Sequence, residues 1–174
     1  MILETNRLIL REMVLEDAPD MLRLHSNDRV QEFTGEDTIT SLEQIRTKIK
    51  AIQSEDYENR GYGRWVTVLK NDKKFVGWAG LAYLPEFDEV DLGYRFLPEY
   101  WGAGIATEAS QAILTYGFEV LQLKKIIAIA MKENQASIRV MEKIGMQFNK
   151  IAPYNSEIKD AVWYWCDQHH TTNK

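Results

Sequence analysis

From residue 63 onward the apolar residues of this chain recur at every second position. "RWVTVLK" and "KFVGWAGLAYL" flank "NDK", the pattern of two strands joined by an Asn/Asp hairpin turn. A third alternating stretch, "EVDLGYRF" over 89–96, follows a turn around Pro85. Consecutive strands on short turns make a largely antiparallel sheet, whose apolar face other elements must cover.

The rest of the chain supplies that cover. "NRLILRE" (6–12) sets Leu8 and Leu10 against Arg7, Ile9 and Arg11 and predicts a first strand. "LEDAPDMLRLHS" predicts a helix with an acidic first turn and Pro19 near its start. A second helix is predicted from the capping-box spacing of Thr40 and Glu43 and from Leu42, Ile45, Ile49 and Ile52, until the charged "SEDYENRG" ends the period. Further on come a helix over 105–120, an apolar strand over 126–131, a helix over 135–144 stopped by Gly145, and strands at "MQFNKIA" and "AVWYWC". The predicted order is β-α-α-β-β-β-α-β-α-β-β. It describes an α+β fold with a mixed, mostly antiparallel sheet of about seven strands and helices on both faces. One domain over 1–168 and a flexible tail over 169–174 are expected.

A chain of 174 residues, 45% hydrophobic, fills one core without disulfide or metal. Cys166 is the only cysteine. It reads as a small apolar residue at a strand end, and with His25, His169 and His170 scattered no metal site is predicted. The net charge of -5 disfavours nucleic acid as a partner. "MILETNRLILRE" lacks a signal-peptide pattern and no apolar run is long enough to span a bilayer, so a cytoplasmic protein without membrane contact is expected.

The stretch "YWGAGIATEA" places Gly102 and Gly104 before the helix stripe Ile105, Ala109, Ala112, Ile113, Tyr116 and Val120. Two readings stand: a tight strand-to-helix turn, or a cradle where unpaired N–H groups and the helix dipole meet a phosphate. A P-loop is excluded because Ile105 and Ala106 follow Gly104 in place of Lys and Ser/Thr. A Rossmann fingerprint is excluded by Thr107 and by Lys124 and Lys125 where an acid is needed.

"TNRLILRE", "LGYRFLPEYWGAGIATEA" and "ENQASIRVMEKIGM", in this order, resemble the GNAT superfamily of N-acetyltransferases. The branch is the one that includes bacterial ribosomal-protein N-terminal acetyltransferases. The resemblance runs from Leu3 to about Cys166. It implies acetyl-CoA as cosubstrate, with its pyrophosphate on the backbone N–H groups of Gly102, Ala103, Gly104, Ile105, Ala106 and Thr107. It implies a pantetheine arm paired with the backbone near Phe96 and Leu97 and bonded by Asn134, a residue that also reads as a helix cap. Arg139 and Lys143 share a helix face and either reach a phosphate or are solvated charge. Glu99 stands where the broad superfamily often has Gln or Arg, a departure shared with the narrower branch.

Moving acetyl from a thioester to an amine needs a neutral amine, a stabilised oxyanion and a proton for the departing thiolate. By resemblance Asp91, two residues before Gly93, faces the acceptor cleft as base, with Glu89 beside it; an ion-pairing strand acid is the other reading. An α-amine with pKa about 7.7–8.0 is roughly a tenth neutral near pH 7, so it asks little of a base. The tyrosine that many members carry seven residues after the motif Asn is Met141 here. Ser137 is the candidate donor to sulfur, or a first-turn serine of the helix. Phe33, Trp78 and Tyr83 are candidate walls of the acceptor cleft, or core. The expected activity is acetylation of a peptide α-amine or a small-molecule amine, with a non-catalytic acetyl-CoA-binding module as the alternative. A monomer or homodimer is expected, with "VWYWC" as an exposed edge open to a second copy.

Overall fold

The computed structural model describes residues 2–168, so the tail expected at 169–174 lies outside the described residues. Eight strands form one sheet: β1 (Leu3–Glu4), β2 (Leu8–Arg11), β3 (Arg64–Leu69), β4 (Phe75–Leu84), β5 (Glu89–Phe96), β6 (Lys125–Ala130), β7 (Gln147–Ala152) and β8 (Ala161–Asp167). Their spatial order is β1-β2-β3-β4-β5-β6-β8-β7, and only β5 and β6 run parallel. The mixed, mostly antiparallel sheet is as predicted with one strand added. β1 is two residues long, too short to leave a period in the sequence.

Helices α1 (Ala18–His25), α2 (Asp28–Gln31) and α3 (Leu42–Ala51) cover one face; α4 (Ile105–Glu119) and α5 (Gln135–Lys143) cover the other. Strand alternation divides the core between them. Val66, Val68 and Trp78 pack with Met21, Leu24, Ile45 and Ile49, whereas Trp65, Ala79 and Leu81 pack with Ile113 and Leu114. Among the described residues no helix is long and apolar enough to cross a membrane.

Three expectations are corrected. α3 is capped by Ser41 Oγ, which accepts from Gln44 N at 3.4 Å, so the Thr40/Glu43 capping box does not form. "SEDYENRG" does not end the helix, which widens into a π-helix over Ile52–Glu58. Gln53 Nε2 donates to Met13 O at 2.8 Å and Met13 N donates to Tyr57 Oη at 3.1 Å, bonds that hold this polar turn in place. Finally, "AVWYWC" is no edge: β8 pairs with β6 on one side and β7 on the other, and β7 is the exposed border.

The break that shapes the site lies between β5 and β6. Their parallel ladder is a single rung, Asp91 opposite Ile127, after which the two strands diverge.

Candidate active site

A cavity of about 660 Å³ fills the opening beyond that rung, lined by Leu92–Phe96 of β5 and by residues 128–131 across from them. It reaches both faces of the sheet, so groups that alternate to opposite sides of β5 meet in one space.

On the α4/α5 side the glycine turn enters the cavity. Gly102 and Gly104 adopt φ of 75° and 77°, a left-handed backbone that favours glycine, and a Cβ at Gly102 would have nothing within 4 Å. The first backbone bond into α4 is Glu108 N to Gly104 O at 3.0 Å, so the N–H groups of residues 102–107 precede the helical ladder. Gly102, Gly104, Ile105, Ala106 and Thr107 line the cavity. Ala103 does not; its carbonyl accepts from Arg7 Nη1 at 2.8 Å. The exposed Arg139 and Lys143 of α5 also border the cavity, adding cations to a cradle fit for a diphosphate.

Asn134 caps α5, its Oδ1 accepting from Ser137 N at 3.1 Å. Tyr94 Oη donates to Ser137 Oγ at 3.1 Å, and the Tyr94 ring stacks on Phe96. Burial pushes the Tyr94 phenol up, against the pull of its bond to Ser137, so it stays a neutral donor. Tyr94 is a residue the sequence reasoning missed. Met141, at the empty tyrosine position, is buried in the core, and the hydroxyl arrives from the sheet instead.

On the opposite side Asp91 is buried and paired with Arg64 Nη2. Arg64 Nη1 also donates to Gly80 O at 2.5 Å and to Asp91 O at 3.2 Å. Gly93 makes room for this: a Cβ there would lie 2.9 Å from the guanidinium. Burial raises the Asp91 carboxyl above its ordinary range, although Arg64 pulls the other way. Glu89 is paired with Lys125 and does not line the cavity.

A second ionic group lies next to the first. Arg95 donates to both Glu36 oxygens, at 2.8 and 3.0 Å, and to Gln31 Oε1 at 3.1 Å. Arg64 and Arg95 each lie 5.4 Å from the Trp78 ring. His25 is fully buried with Nδ1 3.3 Å from Arg95 Nη1. The Nε2 of the same ring has no hydrogen-bond partner. Burial, then the charges of Lys48 and Arg95, push the His25 pKa down to about 3. Burial would raise Glu36, but the bonds and charge of Arg95 outweigh it and bring the carboxyl down to about 2.

Of the expected walls, Phe33 and Trp78 line the cavity and Tyr83 does not. Tyr83 is five residues from Trp78 on β4 and so points to the other face; its hydroxyl donates to Asp88 Oδ1 at 2.8 Å. Leu97 is also corrected. It is buried in the core, outside the cavity lining, and its N–H donates to Val76 O at 2.9 Å, while Phe96 O accepts from Trp101 Nε1 at 2.7 Å.

The model of the acetyltransferase (GNAT) domain matches residues 7–147, and the chain belongs to that family. The uncharacterized N-acetyltransferase YoaA of Bacillus subtilis (strain 168) is 35% identical over 171 residues, 92% of this chain and 96% of its own. A spermidine N(1)-acetyltransferase of Escherichia coli (strain K12) is 29% identical over 140 residues, 78% of this chain and 70% of its own. Among solved structures, the ribosomal L7/L12 α-N-protein acetyltransferase RimL, in complex with coenzyme A, shares the fold. Its TM-score is 0.79 at 20% identity, over 95% of this chain and 97% of its own. The chain is an acetyltransferase with acetyl-CoA as its cosubstrate.

Proposed function

We propose that this cavity passes an acetyl group from acetyl-CoA to a primary amine by direct attack in a ternary complex. The acceptor is a peptide or protein N-terminal α-amine or a small-molecule amine. The observation that carries the reading is the opening of the sheet after Asp91–Ile127, which joins the glycine turn and Ser137 on one face to Asp91 on the other.

Each residue has a role in that reading. The N–H groups of Gly102, Ala103, Gly104, Ile105, Ala106 and Thr107 hold the diphosphate, with Lys143 and Arg139 beside them. Phe96 and Asn134 border the extended arm, which pairs with the open edge of β5 at residues 92–95, because the Phe96 carbonyl and the Leu97 N–H and carbonyl are already bonded. When bound, acetyl-CoA supplies an acyl thioester. Asp91 takes the amine proton, directly or through water, and its raised pKa suits the task. Ser137 donates its hydroxyl hydrogen toward the sulfur; the Tyr94 O–H fills one lone pair of Ser137 and leaves that hydrogen unengaged. Phe33 and Trp78 wall the acceptor.

The test is thiol release from acetyl-CoA against a panel of N-terminal peptides, amino acids and polyamines, with mass spectrometry locating the acetylated nitrogen. Amine-dependent CoA release with acetyl on nitrogen is the expected result. Tight acetyl-CoA binding without CoA release for any amine would favour a non-catalytic module.

A further inference from the structure

The acceptor side of the cavity has a character opposite to that of the chain. The protein carries a net charge of -5, yet this side presents Lys48, Arg64 and Arg95, and the only carboxylates among the described lining residues are Glu36 and Asp91. Both are committed. Glu36 is held by Arg95 and lies 3.6 Å from Lys48 Nζ, and Asp91 is held by Arg64. Arg29 borders the same cavity and adds a further cation.

A ligand entering here meets more cations than carboxylates. One amine can be received by Asp91 as its proton leaves. Each further ammonium group would have to pull Glu36 from Arg95 or leave its own charge uncompensated at a half-buried site, which is costly. A carboxylate fits the opposite way: it sits beside Lys48 and Arg95 and adds a charge of the sign the wall lacks.

We infer, resting on the acetyl-transfer reading above, that the acceptor is an amine that also carries a carboxylate. Free amino acids and acidic N-terminal peptides share that chemistry. Spermidine, named for the Escherichia coli relative, does not.

The experiment uses matched acceptors: L-glutamate against L-glutamine amide, a hexapeptide beginning Ser-Glu-Asp against one beginning Ser-Gln-Asn, and spermidine. At least one acidic member should exceed its neutral counterpart in kcat/KM by about tenfold or more, a difference of about 1.4 kcal/mol. Which pair shows it separates a free amino acid from a peptide. The ratio should fall as salt rises and should collapse toward one in Arg95→Gln or, should that variant not fold, in the more exposed Lys48→Gln. Spermidine or the neutral members turned over equally well or better would overturn the inference while leaving acetyl transfer intact. CoA release with none of them would sink the transfer reading instead. The inference is then read by titrating N-acetyl-L-glutamate and N-acetylspermidine into the CoA-loaded protein: tighter binding of the anion upholds it, equal or reversed affinity overturns it.

Discussion

Arg7 Nε bonds Glu108 Oε2 at 2.6 Å while its Nη1 bonds Ala103 O at 2.8 Å, so one side chain fastens the N-terminal segment to both the glycine turn and the first turn of α4. Thr5 Oγ1 and Arg7 N complete the clamp on Glu108 Oε1, at 2.6 and 2.8 Å. The clamp positions the N–H groups of residues 102–107. Arg7→Ala and Glu108→Ala should each raise KM for acetyl-CoA by roughly three- to fivefold, as fits partly exposed pairs worth below about 1 kcal/mol, with kcat little changed. Steady-state kinetics at fixed acceptor checks this; an unchanged KM would detach the clamp from the cofactor.

Tyr94 and Ser137 act as a unit. Tyr94→Phe and Ser137→Ala should each lower kcat, Ser137→Ala by about a hundredfold, with acetyl-CoA affinity nearly constant. The double variant should be no slower than Ser137→Ala alone, because Tyr94 works only through that hydroxyl. Fully additive losses in the double-mutant cycle would refute the coupling.

Arg64 holds the Asp91 carboxyl down against burial. Removing the cation leaves only the Ile129 backbone N–H to oppose burial, so Arg64→Gln should move the acid limb of the kcat/KM profile to higher pH. Gly93→Ala, which places a Cβ against the guanidinium, should do the same in part. A limb that stays in place or moves down would remove Asp91 from the base role.

His25 makes stability depend on pH. Its folded pKa is depressed to about 3 from 6.5, so below pH 6.5 the unfolded chain binds a proton that the folded one refuses. Stability contributed by neutral His25 is therefore present above 6.5 and declines by about 1.4 kcal/mol per pH unit toward pH 3. Melting temperatures of wild type and His25→Gln from pH 7 to 4.5 should converge as the pH falls. Parallel curves would contradict the buried neutral imidazole.

The sheet was legible wherever a period of two ran long enough, as in β3, β4 and β5, and α4 wherever its apolar stripe did. What failed was short or cooperative. β1 has two residues, and the Ile52–Glu58 turn depends on bonds from Gln53 and Tyr57 to segments 40 or more residues away. β8 looked like an edge because its partners lie on either side of it in space and not in sequence. In the site, Gly102–Thr107, Asn134 and Ser137 lie in short stretches whose resemblance to the family could be read locally. The Arg64–Asp91 and Tyr94–Ser137 pairs, 27 and 43 residues apart, exist only once the strands are paired and then parted. The sign of the cavity's charge was hidden too: the whole chain is acidic, and only folding gathers Lys48, Arg64 and Arg95 into one wall.

The central claim, that the parted strands seat acetyl-CoA between the glycine turn and Ser137, is tested most directly by a crystal structure grown with coenzyme A. The account predicts the diphosphate on the N–H groups of Gly102–Thr107, the arm against residues 92–95 of β5 and the sulfur in hydrogen-bonding reach of Ser137 Oγ. A diphosphate bound away from that turn, or a sulfur on the far side of α5, would contradict it.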